Sequence, residues 1–374
     1  MRLPLELVWV WVALTVPAWP LVARYSGALG VACYSIAAGA ALLLAPRIAA
    51  LIPVRRAMAL WLAMFAIVVV LFAVVYPRVN VHQPGAGSDD DDAHNIGAMA
   101  LVAGESPYAR TTYLGNELHQ LPGSFVLSIP FALIGTSALQ NVVCLPLFFL
   151  LLRRETRDAR TPLVIALLSV LLSPAVLHQV ATGSSYSWNA IWVLAGLWWV
   201  TARPSSLLAP LVLGVALCSR ANFILLLAPL LGWLWRTHGP AVAMRIVGLA
   251  ALVVAALAIP FYLTSDAFGP LSVIDRWRDY DIVVPGAGVA VVIGMAMLSI
   301  GLAFFRAGRS GFFLQCALVQ SFPVVAGLML SWLMPADHDR LAMAYYGSFA
   351  SWFVLIGATM RIEPWLVGEG RPVS

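Results

Sequence analysis

Ser88-Asp89-Asp90-Asp91-Asp92-Ala93-His94-Asn95-Ile96-Gly97-Ala98-Met99-Ala100-Leu101-Val102-Ala103-Gly104 lies in a polar segment, 77–121, that interrupts a chain otherwise made of long apolar runs. Four of the 17 acidic residues stand side by side here. From Asp90 to Ala103 the spacing is helical, with Ile96, Ala100 and Ala103 on one side, and Gly104 suits the end of such a helix. A short amphipathic helix between apolar runs reads as one lying along a membrane surface. Pro107 and Gly115-Asn116 read as turns, and Leu121-Pro122-Gly123 opens the next apolar segment, where proline fits a first helical turn.

The rest of the chain supplies that membrane. With 374 residues, 61% apolar and 10% charged, the composition is that of an all-α, polytopic integral membrane protein, and it leaves no room for a sizeable soluble domain. Apolar runs at 5–23, 26–45, 57–76, 161–181, 186–202, 205–219, 221–235, 246–263, 286–305, 311–334 and 341–360 are long enough, or nearly so, to cross a core of about 30 Å. The first resembles a signal peptide, but a second run follows almost at once, so it reads as a retained helix. The stretch 122–152 is too long for one straight span and short for two.

Charge decides how to count it. Taken as one net crossing kinked near Gly135 to Asn141, it gives about 12 transmembrane helices in a single domain, 1–374, with 77–121 and 264–285 as external loops. Fifteen of the 22 arginines then share one side and 12 of the 17 acids the other, as the positive-inside rule requires. Two full crossings would destroy that asymmetry. The acidic loop therefore faces outward from a plasma or inner membrane. No acid falls mid-span on this reading, which argues against an ion-coupled carrier. All basic residues are Arg, a compositional bias with no nucleic-acid patch in it. Cys33, Cys144, Cys218 and Cys316 lie in or beside apolar runs without metal or redox spacing and read as small apolar side chains.

Acids at a helix start are favoured by its dipole, by about 0.3–1 kcal/mol each, so one or two would need no further account. Four repel one another, which capping does not require. A carboxylate just above a membrane can act as general base on a hydroxyl, and charged neighbours raise its pKa toward useful values. Arg220, in Ser219-Arg220-Ala221-Asn222, divides two apolar stretches that would otherwise be continuous. It is either an arginine reaching to lipid headgroups or a cation for a phosphate. Arg276 and Arg278, in Asp275-Arg276-Trp277-Arg278-Asp279-Tyr280-Asp281, serve the same phosphate or form an exposed salt-linked loop. Asp337-His338-Asp339-Arg340 has metal-ligand types with little framing around them.

A membrane chain with acids in its first large external loop, a surface helix, Gly104-Glu105-Ser106-Pro107-Tyr108, and then Leu121-Pro122-Gly123 opening a membrane segment resembles the C-type (GT-C) glycosyltransferases. It is most similar in character to bacterial polyprenyl-phosphate-sugar-dependent mannosyltransferase-like proteins of the cell envelope, over about 57–235. The resemblance implies a GT-C-like bundle and an inverting transfer of a sugar from a polyprenyl-phosphate donor to a glycan, lipid or protein acceptor hydroxyl. The base would be one of Asp89, Asp90, Asp91 and Asp92, with Asp89 or Asp90 preferred, and the donor phosphate would fall to Arg220, Arg276 and Arg278. By position, Tyr108, Arg110, Asn116 and His119 read as sugar or acceptor contacts; His178, near the outer end of its run, could line the cleft but reads more readily as a packed helix residue. The resemblance implies no required cofactor and leaves a divalent cation open. An extra hairpin at 5–45 departs from the usual layout. Two other classes compete: a lipid or polysaccharide flippase or transporter, which needs a polar path through the bundle, and a non-catalytic envelope scaffold.

Overall fold

The computed structural model describes residues 4–83, 88–265, 268–271, 277–335 and 339–368. The chain is 79% helix, and among the described residues the only β-type pairing is an isolated antiparallel bridge between Thr111 and Glu117. In chain order the helices are α1 (Glu6–Thr15), α2 (Trp19–Leu43), α3 (Ala45–Leu51), α4 (Ala57–Val79), α5 (Asp90–Val102), α6 (Pro122–Leu133) and α7 (Leu139–Glu155). Then come α8 (Arg160–Leu171), α9 (Pro174–Thr182), α10 (Tyr186–Ala202), α11 (Leu208–Leu217), α12 (Ala221–Ile224) and α13 (Leu227–His238). The last are α14 (Pro240–Thr264), α15 (Ala287–Phe304), α16 (Arg309–Ser331) and α17 (Ser348–Leu366).

Among the described residues, five helical stretches are long and apolar enough to cross a membrane: Glu6–Leu43, Val54–Val79, Pro240–Thr264, Ala287–Phe304 and Arg309–Ser331. A sixth is the pair α8 and α9, bent by 71°. This is a helical membrane protein. The outward sides of α4 and α14 keep Leu62, Ile67, Val70, Leu252 and Leu263 exposed, which suits contact with lipid. Continuous spans are fewer than the apolar runs suggest, because several runs are broken. Runs 5–23 and 26–45 form one stretch kinked at Gly27, and 205–219 yields only the ten-residue α11.

The awkward stretch 122–152 is two helices parted at Gly135, whose φ of 136° suits a glycine. At about 1.5 Å per residue, α6 spans about 18 Å and cannot cross alone. It runs back beside α5. Near its start Ser124 Oγ lies 2.7 Å from His94 Nε2, and beyond its end Ser137 donates through Oγ to the Asp91 carbonyl and through N to Asn95 Oδ1. After the break the chain continues as α7, Leu139–Glu155.

The helix predicted at Asp90 to Ala103 is present as α5, followed by Gly104 at φ 73°. Its buried side is different from the one expected: Ala93, His94, Gly97, Ala98 and Ala100 are covered, whereas Ala103 is exposed and Ile96 partly so. The cause is Phe125 of α6, whose ring lies so close to Gly97 that a Cβ there would come within 2.4 Å of it.

Charge sorts the two ends of the bundle. At one end Arg309 pairs with Glu155 at 2.8 Å, Arg361 with Glu6 at 3.2 Å and Arg160 with Asp158, while Glu363 accepts the Arg157 and Asp158 amides. At the other end the C-termini of α4, α9 and α11 meet α5 and the starts of α7, α10 and α12. Between them the core is close-packed aromatics, among them Trp188, Trp352, Phe148, Phe312 and Phe353, all at most 2% exposed. Dispersion between such side chains holds helices together where lipid is as apolar as the core.

Candidate functional site

Successive residues of a helix point about 100° apart, so four adjacent carboxylates in the first turn of α5 cannot share one partner. Each finds its own. Asp89 Oδ2 accepts hydrogen bonds from Thr112 Oγ1 and Asn116 Nδ2, both at 2.7 Å. Asp92 meets His82 at 3.1 Å. Asp91, wholly buried, accepts through Oδ2 from Tyr76 and from Asn80 at 2.7 Å, and its Oδ1 has no hydrogen-bond partner. Burial pushes the Asp91 carboxyl up to about 7, and the charges of Asp92 and Asp90 push the same way.

Asp90 faces the bundle axis. Its Oδ2 accepts the Ser185 amide at 2.7 Å, and its Oδ1 accepts Gln120 Nε2 at 3.0 Å and Arg220 Nη2 at 3.1 Å. The two charged side chains are 12% and 10% exposed. Burial alone would raise this carboxyl, but Arg220 outweighs it, aided by His94 and the Ser185 hydrogen bond, and holds Asp90 well below the usual carboxylate range. His94 lies on the same helix face four residues on, fully buried between the Asp90 carbonyl and Ser124. Its burial drives the imidazole down to about 4 against the pull of Asp90, so it is neutral at pH 7.

The lone arginine is placed by a break in the chain. Arg220 is extended (φ −147°, ψ 144°) between α11 and α12, and Leu121 N bonds to Ser219 O at 3.2 Å. Gly123 packs directly on the end of α11, where a Cβ would come 2.2 Å from the Val215 carbonyl oxygen. Leu121-Pro122-Gly123 thus docks the start of α6 against the segment that carries Arg220. Ser185, just before α10, closes the arrangement: its Oγ accepts from Arg220 Nη2 at 2.7 Å while its amide serves Asp90.

Arg220 also lines a cleft together with His119, Asn222, Trp277, Gln320 and Phe349, among others. Its guanidinium carbon lies 6.0 Å from the Phe349 ring centre. The cleft combines an apolar, aromatic wall with a few polar groups and one permanent cation, the general form of a small-molecule site.

Of the residues singled out in the sequence, Asp90, Arg220 and His119 come together here. Tyr108 does not: its ring packs among Phe125, Phe261 and Phe268 and its hydroxyl donates to the Gln120 carbonyl, a structural role. Arg110 pairs with Glu105 on the exposed surface, and Asn116 serves Asp89. His178 is beside Tyr345 and does not line the cleft. Arg278 is exposed, whereas its neighbour Trp277 is buried at the cleft. Arg276, Asp337 and His338 lie outside the described residues. Asp339 accepts the Leu341 amide at 2.9 Å and Arg340 covers the Trp332 ring, so both have local structural roles. Among the described residues no group of three or more His, Cys, Asp or Glu could hold a metal ion. The tetrad, turned to four sets of protein donors, is no preassembled ligand set.

Sequence reading missed Ser185, Gln120, His94, Asn222 and Gln320. Only His94 carried a local signal, its i+4 spacing from Asp90. Compared with known proteins, the chain matches no family model, no curated protein and no solved structure.

Proposed function

We propose that the chain is an integral-membrane glycosyltransferase that moves a sugar from a polyprenyl-phosphate donor to an acceptor hydroxyl. In this reading it crosses a plasma or inner membrane about twelve times, some passes being made by short or broken helices, and the α5 end is the external face. The observation that carries the proposal is the Asp90–Arg220 pair at the wall of a cleft beside a surface helix. A single displacement at a sugar–phosphate bond needs a base on the acceptor side of the anomeric carbon and a cation at the phosphate on the other side; Asp90 and Arg220 are those two groups, and the donor parts them when it binds between them.

Asp90 takes the proton of the acceptor hydroxyl, whose oxygen attacks the anomeric carbon. The bond from that carbon to the phosphate oxygen breaks, and its electron pair leaves on the lipid phosphate beside Arg220. Attack opposite the leaving group inverts the anomeric configuration. A carboxylate held low by an arginine is a weak base at rest. An arriving phosphate competes for that guanidinium, and burial then strengthens Asp90 as a base when both substrates are present. Asp91, closed in by Tyr76 and Asn80, has no access to an acceptor.

The test is transfer from a synthetic polyprenyl-phosphate sugar by the purified chain in lipid nanodiscs. Wild type transfers sugar, and Asp90→Asn lowers kcat by about 10²–10⁴, the scale of a general base. Lipid translocation without transfer, in wild type, would establish the flippase reading instead.

A further inference from the structure

We propose that Asn222 and Gln320 form a specificity pair that reads hydroxyl groups of an uncharged donor sugar held in the Arg220 cleft. The inference rests on the transferase reading and narrows its substrate class.

Gln320 lies in the middle of α16, one of the stretches apolar enough to cross a membrane, and is 1% exposed. A carboxamide in such a helix is unfavourable unless bonded, and is typically there for function. It is tied to one residue twice. Gln320 Oε1 accepts from Asn222 Nδ2, and Gln320 Nε2 donates to the Asn222 carbonyl at 3.1 Å. These bonds fix both amides and use only part of their capacity. A primary amide has two N–H groups and an oxygen with two lone pairs, so each keeps one N–H, and the Asn222 Oδ1 lone pairs remain. Both residues line the cleft.

Position gives the ligand. Asn222 and Gln320 line the same cleft as Arg220, so a phosphate at the guanidinium places its sugar in the space these amides border. Rigid donors and acceptors set in an aromatic wall of Trp277, Tyr346 and Phe349 suit a ring that is polar at its edge and apolar on its face. Among the described residues that line the cleft, the ionisable ones are His119, Arg220 and Tyr346, with Asp90 held against Arg220. An amino sugar's ammonium would compete with the acceptor hydroxyl for Asp90, the carboxylate held at Arg220. A uronate would set a second anion beside a phosphate that already occupies Arg220. The cleft therefore fits a neutral sugar.

The test uses the full-length protein in nanodiscs with polyprenyl-phosphate donors carrying a neutral hexose, its monodeoxy analogues, its 2-amino-2-deoxy form and its uronate. Wild type is expected to prefer the neutral hexose. At least one deoxy donor should fall by 10-fold or more in kcat/KM, since a site built to bond a hydroxyl rejects the analogue lacking it. Asn222→Ala and Gln320→Leu should each slow the parent hexose by about 10- to 100-fold, yet change that deoxy donor by less than threefold, because the lost partner is already absent. A uniform loss on every donor, in variants with wild-type melting, would give the pair a structural role and overturn the inference. So would equal use of the charged sugars. If wild type transfers none of these donors, the transferase reading falls, and this inference with it.

Discussion

Replacing Asp90 by Asn removes the charge facing Arg220 while keeping the shape. Arg220 is 8% exposed, its Nε has no partner, and its Nη2 would keep the Ser185 hydroxyl as its strong acceptor. Breaking a buried ion pair costs about 3–5 kcal/mol because the remaining charge stays buried. Access from the cleft lowers this for Arg220 to about 2–4 kcal/mol. Arg220→Met should cost less, since Asp90 keeps the Ser185 amide and Gln120. The double variant leaves neither charge stranded, and a cycle of the four proteins should give a coupling of about 2 kcal/mol. The assay is equilibrium unfolding of the purified protein by titrated denaturing detergent, read by tryptophan fluorescence. Effects that add within about 0.5 kcal/mol would show that the two side chains do not hold each other, and would refute the reasoning.

Asp91 makes a prediction of opposite sign. Its folded pKa is near 7, above the ordinary carboxyl value, so the folded state keeps a proton that the unfolded chain releases. Stability should fall as pH rises from about 4 to 7, by at most about 4 kcal/mol, and Asp91→Asn should flatten that decline; equal slopes in both proteins would contradict it. Gly183→Ala should destabilise by about 1–3 kcal/mol, because its φ is 76° and the new Cβ would lie 2.9 Å from both Asp91 Cγ and Tyr76 Cε2. Unchanged melting would show that the α9–α10 turn is not locked there. On a Cys33→Ser background, Arg110→Cys should react with an impermeant thiol reagent in intact cells and Arg154→Cys only after permeabilisation; the reverse pattern would invert the side assignment.

The membrane character of the chain and the helix at Asp90 to Ala103 were legible from hydropathy and residue spacing, because those signals are local and cumulative. Asp90 and Arg220 were legible as an isolated acid run and an isolated cation. Which acid meets the arginine was not, since neighbouring acids differ only by a helical rotation whose phase α6 sets through Phe125 and Gly97. The break at Gly135 was legible from the length of 122–152, whereas the one at Gly27 was hidden inside an apolar run, because hydropathy reports composition and not backbone direction. Ser185 and Gln320 come from segments about 95 and 230 positions from Asp90, and nothing local in the sequence links either to it. Tyr108 looked like a contact because it follows the acidic helix, and its aromatic cage is made by residues 125, 261 and 268.

All of the chemistry above requires a lipid-linked phosphate to rest on Arg220. A structure of the full chain in nanodiscs with a non-hydrolysable polyprenyl-phosphonate sugar measures this directly. The expected result is the phosphonate within hydrogen-bond distance of the Arg220 guanidinium, with the sugar ring against Asn222 and Gln320 and Asp90 turned toward the acceptor side of the anomeric carbon. A phosphonate bound at the Arg153–Arg160 end, or a cleft left without it at saturating ligand, would contradict the account.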